Sequence, residues 1–402
     1  MSNRLIMFFV CLVGGLTGVS SDIYAPAIND IAKDLNVTSD WTQWSMAMFL
    51  AGVSLSQLFY GAYSEAYGRK YALTLGLCIM MIGSTMCMVA PNISWLIMGR
   101  FVQGAGAGVG AAIWRSIFRD GFKDEEMAQY GGYLALFFLL VLPLAPIVGS
   151  ALSPISWRLI FVVLMMYNFI SLGLVLFYFD ETNRNSDVSR WNLEFISKTY
   201  QGFMVNKEFM GICFSIFFTY GAFFSWFIVG PVLIEQQLGY PDVVFSGISF
   251  ATTCSMMFLA AILNNKFMRR FGPDMMLFFG WSNIALGGII MLVFSALFGL
   301  NLPTIIVATA FLFFGTGFIF PNLFAGAMVP YANLAGYAAS LYSFIQMLGG
   351  AFWGGFLAHM SETTSYPMGA VMLSGGVMSA MVYTIAVVNN PKRHRLYDEE
   401  GN

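Results

Sequence analysis

The stretch LIMFFVCLVGGLTGVSSDIYAPAI, residues 5–28, decides how the chain must fold. At a rise of about 1.5 Å per residue, an apolar run of this length spans the roughly 30 Å of hydrocarbon in a bilayer as a single helix. It is too long for a signal-peptide core, carries an acid, and has no small-x-small cleavage site behind it. It is therefore expected to stay as an uncleaved first span.

Similar runs recur to the end of the chain. They fall near 43–63, 71–90, 94–117, 128–152, 157–179, 207–231, 243–264, 275–298, 302–328, 335–358 and 366–388, which makes twelve spans with the first. Composition agrees: of 402 residues, 58% are hydrophobic, 17% aromatic and 10% charged, so the solvent of most side chains is lipid. The expected fold is an all-α membrane protein with twelve transmembrane helices in two six-helix bundles. Residues 1–180 form the first bundle, 181–206 a polar cytoplasmic linker, and 207–402 the second bundle with a cytoplasmic tail.

Lys and Arg set the orientation. With the N-terminus inside, Arg4, Arg69, Lys70, Arg119, Lys123, the linker cations Arg184, Arg190 and Lys198, then Lys207, Lys266, Arg269, Arg270, Lys392, Arg393 and Arg395 all fall on the cytoplasmic side. Lys33 and Arg158 are the clear outer cations. Both termini are expected to be cytoplasmic. The halves also echo each other, because GAYSEAYGRK at 61–70 and NNKFMRRFGPD at 264–274 occupy matching places. Such duplication is typical of secondary carriers with a midplane site.

Composition also excludes function classes. A formal net charge of −2 and scattered basic residues give no reason to expect a nucleic-acid partner. The five cysteines, Cys11, Cys78, Cys87, Cys213 and Cys254, lie in apolar stretches without metal-ligand spacing and read as small core residues, with no disulfide. His359 and His394 have no metal-ligand company, so no metal is expected. No GxxxxGK[ST] loop is present for ATP, no cofactor is implied, and no nucleophile with base and orienter is readable, so an enzyme is not expected.

One charge stands out. Among 21 acidic residues, Asp22 alone lies well inside a span. A carboxylate there costs about 2.5–3.5 kcal/mol on insertion scales, so it should be paired or useful; a carboxyl tucked into the interface headgroups is the alternative, because Asp22 is nearer the outer end. Span four places Arg100 at the same depth, about six residues from the outer end. Gly14, Gly18 and Asp22 share one face of span one, as Arg100, Gly104 and Gly108 do on span four. A nearby arginine favours an ionised carboxyl and a drier cavity favours a protonated one, so movement between the two couples protons to transport. For Arg100, a permanent salt bridge that merely fixes two helices is an equal alternative.

Gly61, Glu65, Gly68, Arg69 and Lys70 form a tight charged turn able to bind neighbouring helix ends and hold the cytoplasmic side closed. In span five, Pro143, Pro146 and Gly149 mark a bend or close packing in the outer half. Tyr220, Phe223, Phe224 and Trp226 in span seven, with Tyr133, Phe137, Tyr342 and Gln346 elsewhere, are candidates to line a site for a lipophilic or aromatic compound.

The chain resembles the major facilitator superfamily, and within it the twelve-helix drug:proton antiporters of the bicyclomycin-resistance and multidrug-facilitator type. The resemblance rests on DIYAP at 22–26, GAYSEAYGRK at 61–70, RFVQG at 100–104, APIVG at 145–149 and WRLIF at 157–161, and more weakly on GTGFIFPN at 315–322 and QMLGG at 346–350. It implies proton coupling at Asp22 and Arg100, a cytoplasmic gate at Gly61, Glu65, Gly68, Arg69 and Lys70, and export direction set at Pro146 and Gly149. Tyr24, Gln103 and Asn322 join the candidate substrate contacts. Glu65 stands where the family usually has aspartate, Ala145 where many antiporters have glycine, and Gly14 where some multidrug members carry a second acid.

The expected protein is thus a monomeric carrier in a bacterial inner membrane that exchanges inward protons for an outward small amphipathic compound. A nutrient symporter of the same fold is the alternative. A membrane receptor or lipid-modifying enzyme is a third reading, opposed by the missing catalytic cluster.

Overall fold

The computed structural model describes residues 2–122, 124–183, 186–188, 191–328, 330–331, 335–360 and 364–389. Lys123, Arg184, Arg190, Lys392, Arg393, His394 and Arg395 lie outside them.

The described chain is helical throughout. Its helices are α1 Asn3–Asp22, α2 Ile28–Asp34, α3 Ser39–Tyr67, α4 Arg69–Met88, α5 Ile93–Gly121, α6 Asp124–Leu152, α7 Arg158–Tyr178, α8 Leu193–Val205, α9 Lys207–Val232, α10 Asp242–Phe298, α11 Leu302–Met328, α12 Ala335–Ala358 and α13 Tyr366–Tyr383. Ten segments are long and apolar enough to cross a membrane, with α1 and α2 counted together. The 57-residue α10 breaks at Gly272 and supplies two crossings, and α6 supplies another, which makes twelve among the described residues.

The two echoing loops are built alike. Gly68 at φ 103° separates α3 from α4, and Gly272 at φ 75° divides α10. Only glycine adopts such angles without strain, so each turn reverses the chain with almost no loop. Span one differs from the unbroken helix expected over residues 5–28. Helix α1 ends at Asp22, and a short 3₁₀ turn at Ala25–Ala27 leads into α2. Pro26 has no N–H to offer the carbonyl of Asp22, so the α-helical ladder fails at that point.

Packing in the first half depends on small residues. Gly52 of α3 lies against the carbonyl of Phe101 and Gly104 of α5 against that of Phe49, so the two backbones touch where any Cβ would collide. Across the halves, α3 packs on α12 and α6 on the first part of α10. One contiguous apolar core joins both halves. The α8 helix lies in the linker and reaches the first half through Tyr200, whose hydroxyl donates to the Leu58 carbonyl at 3.2 Å.

Candidate functional site

Asp22 sits at the C-terminal end of α1, beside the broken turn. Its Oδ1 accepts from Ser21 Oγ at 2.6 Å, and its side chain keeps part of its surface open. Across the interface it lies close enough to Tyr220 of α9 for its charge to act on that hydroxyl. Tyr220 stacks on Phe223 and Phe224 at 5.6 Å each and meets Phe320 at 6.2 Å, and Phe223 is edge-on to Phe313 at 5.6 Å. Gly350 of α12 abuts Tyr220, and Gln346 lies one turn away on the same face of that helix. A carboxyl thus faces an aromatic wall contributed by the other half.

The expected pairing of Asp22 with Arg100 does not occur. Arg100 Nη1 donates to the Ser20 carbonyl at 3.2 Å and to Gln103 Oε1 at 2.6 Å, while its Nε and Nη2 have no hydrogen-bond partner among the described residues. The guanidinium lies over the rings of Tyr24 at 4.4 Å and Phe49 at 4.1 Å. Helix azimuth explains the difference. Val13, Thr17 and Ser20 form the side of α1 that meets α5, with Thr17 Oγ1 donating to the Ala107 carbonyl at 2.8 Å. At about 100° per residue, Asp22 points nearly the opposite way. The Gly14–Gly18–Asp22 face is real but looks elsewhere, since Gly14 packs on Phe138 of α6 and Trp114. Equal depth was legible; the angle around the helix was not.

Several candidate substrate contacts are enclosed in this conformation. Tyr24 is fully buried and its hydroxyl shares a 2.6 Å hydrogen bond with Ser45. Gln103 donates to Ser84 Oγ at 2.8 Å, Trp226 Nε1 donates to Ser249 at 2.8 Å, and Asn322 Nδ2 donates to Asn264 Oδ1 at 2.8 Å. Tyr133 is exposed, and Phe137 lines an apolar groove of about 420 Å³ between α1, α6 and α7, away from the Tyr220 cluster. Tyr220, Phe224, Tyr342 and Gln346 are the ones that the fold gathers on the second half's inner helices.

At the Gly68 end, Arg69 is buried within a ring of acceptors. It reaches Glu65 Oε1 at 2.7 Å, Asp120 Oδ2 of α5 at 3.2 Å and Ser64 Oγ at 2.7 Å. Glu181 of the linker accepts from the amides of Arg69 at 2.9 Å and Lys70 at 3.0 Å, capping the start of α4. A side chain at Gly336 would collide with Glu65 Oε1, so that carboxylate sits in the first turn of α12, where free N–H groups favour an anion. Gly61 abuts Ser340 of the same helix. Lys70 makes no ion pair among the described residues. Asp120 and Glu181 were not marked by the sequence; neither lies in a run that distinguishes it from an ordinary loop acid.

The opposite end is latched between the halves. Asn29 Nδ2 donates to Glu235 Oε2 at 2.7 Å, Lys33 Nζ reaches Glu235 Oε1 at 2.7 Å, and Gln236 Nε2 donates to Asn29 Oδ1 at 2.7 Å. Between α6 and α10, Ser246 Oγ donates to the Pro146 carbonyl at 2.9 Å. Gly149 lies against the carbonyl of Ile23 in the broken turn. Gly149→Ala is therefore expected to force α6 off that turn and cost about 1–3 kcal/mol, read as a lower melting temperature of the purified protein.

A second cation within the spans, besides Arg100, was missed. Arg115 of α5 lies between Trp114 at 4.4 Å and Phe324 of α11 at 4.2 Å. Arg115 falls inside the fourth apolar run with Arg100 but only two residues from its end, where depth alone does not separate it from an ordinary cytoplasmic-end cation.

These features define a helical membrane carrier whose two halves meet around a sparse set of buried charges. The chain belongs to the Major Facilitator Superfamily, whose model matches residues 10–354. It is 27% identical over 372 residues to the bicyclomycin resistance protein homolog of Haemophilus influenzae, covering 92% of this chain and 93% of that one. It is also 27% identical over 385 residues to multidrug resistance protein D of Escherichia coli, covering 95% of each. In fold it is similar to the xylose transporter XylE of E. coli in a partially occluded inward-open conformation, with a TM-score of 0.71, 12% identity, and 97% and 98% of the two chains covered. The protein is a multi-pass membrane transporter.

Proposed function

We propose that the protein exports small amphipathic compounds across a bacterial inner membrane in exchange for protons, with both termini in the cytoplasm. The observation that carries this reading is Asp22. It is a carboxyl at the inter-half surface, beside an aromatic wall and without an ion-pairing cation among the described residues. A lone carboxyl that meets water from one side and then the other carries one proton per cycle. The relatives named for bicyclomycin and multidrug resistance support export of an organic compound.

In this reading residues 1–180 and 207–402 rock about the centre, with 181–206 tying them on the cytoplasmic side. The Asn29–Glu235 latch and the Pro146–Gly149 segment close the outer side in the present conformation. Gly61, Glu65, Gly68, Arg69 and Lys70 form the inner gate, whose contact with α12 is already made in the present conformation and is released when the halves tilt. Arg100, with two unused donors held beside Ser20, is the group that receives the Asp22 carboxylate in the other state. Tyr220, Phe224, Tyr342 and Gln346 contact the substrate. The transporting unit is a monomer.

The sign of the gradient tests this. In proteoliposomes with an acid interior, protons leave and an exchanged amphipathic dye accumulates inside, by up to about tenfold per pH unit for one proton. Accumulation only when the exterior is acid would make the protein a symporter and defeat the proposal.

A further inference from the structure

Arg115 is the charge that the coupling scheme leaves unused. Its guanidinium is sandwiched between Trp114 of its own half and Phe324 of the other, and Phe324 meets Tyr342 of α12 edge-on at 5.6 Å. Arg115 is close enough to Tyr342 to interact with it electrostatically. No carboxylate among the described residues pairs with Arg115. Two aromatic faces offset only part of the cost of holding a full charge away from water, which leaves this cation short of a counter-charge.

Other unsatisfied groups lie nearer the membrane centre on the same path between the halves, since Ser56 meets Gly108 seven residues before Arg115. Ser54 of α3 donates to the Phe344 carbonyl of α12 at 2.9 Å, and Gly61 abuts Ser340, so Gln57 falls between these two levels on the face of α3 that meets α12. Among the described residues the buried Gln57 amide has no hydrogen-bond partner for its oxygen or its nitrogen, and Ser343 Oγ is likewise without one. Arg115, Trp114 and Phe324 each keep part of their surface open, so the place is a recess and not a sealed core.

We propose that this recess binds the acidic head of the transported molecule, and that the substrates are aromatic amphipaths bearing one anionic group such as a carboxylate or sulfonate. The guanidinium fork pairs with two anion oxygens, the flanking rings stack on the aromatic body, and Gln57 supplies a neutral donor. The position along the path fits an elongated molecule. Counting from the Thr17–Ala107 contact, Asp22 lies five residues toward the latched end and Arg115 eight residues toward the other, about 20 Å in all along the helix axes. Gln346 and Tyr220 lie between, so the apolar part extends from the acid head toward the proton site. This inference rests on the export reading and names its substrate class.

The test compares acids with their amides. The full-length protein in detergent is titrated by tryptophan fluorescence with 1-naphthoate against 1-naphthamide, and with pyrenebutyrate against its amide. In the wild type each acid is expected to bind at least about tenfold tighter than its amide. Arg115→Gln is expected to remove the preference and Arg115→Lys, which keeps the charge without the fork, to retain at least about threefold. A wild type with no preference for either acid, a folded Arg115→Gln protein that keeps it, or a Lys variant with none overturns the proposal. Gradient-driven flux of the acids is read in parallel. Absent flux with an intact acid preference means that the export reading fails while the site stands; flux without the preference means the reverse.

Discussion

Asp22→Asn is expected to abolish gradient-driven accumulation, lowering it from about tenfold per pH unit to about one. The amide keeps the volume and the hydrogen bond to Ser21 but cannot bind and release a proton at accessible pH. Nothing else at the centre takes its place, since the remaining acids lie in loops, in the tail or at helix ends. Equilibrium exchange of labelled for unlabelled substrate across the same vesicles should continue, because it needs rocking and not net proton movement. Proteoliposome uptake at an imposed pH difference, measured beside exchange at equal pH, checks both halves of the expectation. An Asn variant that still accumulates its substrate tenfold would move the coupling site elsewhere.

The largest effect on stability is expected at Arg69. Its side chain is 2% exposed, and the carboxylates of Glu65 and Asp120 that it bridges are 11% and 16% exposed. Arg69→Ala removes the cation that bridges the two carboxylates and leaves only the half-exposed Arg119 beside Asp120, at a cost on the order of 3–5 kcal/mol. A thermal melt of the purified protein should show a large fall, and adding Glu65→Gln with Asp120→Asn should recover much of it by removing the stranded charges. Lys70→Ala next door should change little, because that side chain holds no ion pair among the described residues. If Arg69→Ala melted with the wild type, the charged turn would be a topology signal and no more.

Much of this was legible before any coordinates. Apolar run lengths fix twelve crossings, and the two glycine turns are where the repeated loops place them. Depth along the membrane is also readable, which is why Asp22 and Arg100 are found at one level. What the sequence hides is rotation about each helix axis. Two residues separate Ser20 from Asp22, and that offset decides that Arg100 takes the Ser20 carbonyl while the carboxyl faces the other half. Breaks caused by a single proline are hidden for the same reason, since DIYAP reads as apolar helix until Pro26 is seen to free the Asp22 carbonyl. The Asn29–Glu235 latch was illegible because the two residues lie 206 positions apart and each reads alone as a loop residue.

Reciprocity supplies the most direct test of proton coupling at Asp22, because a gradient of one exchanged species must drive the other. Proteoliposomes loaded with substrate and an internal pH dye, with no initial pH difference, are diluted into substrate-free buffer. As substrate leaves, the wild-type interior should acidify, and the Asp22→Asn interior should not change. An Asn variant that acidifies as the wild type does, or a wild type that releases substrate at constant internal pH, would contradict the account.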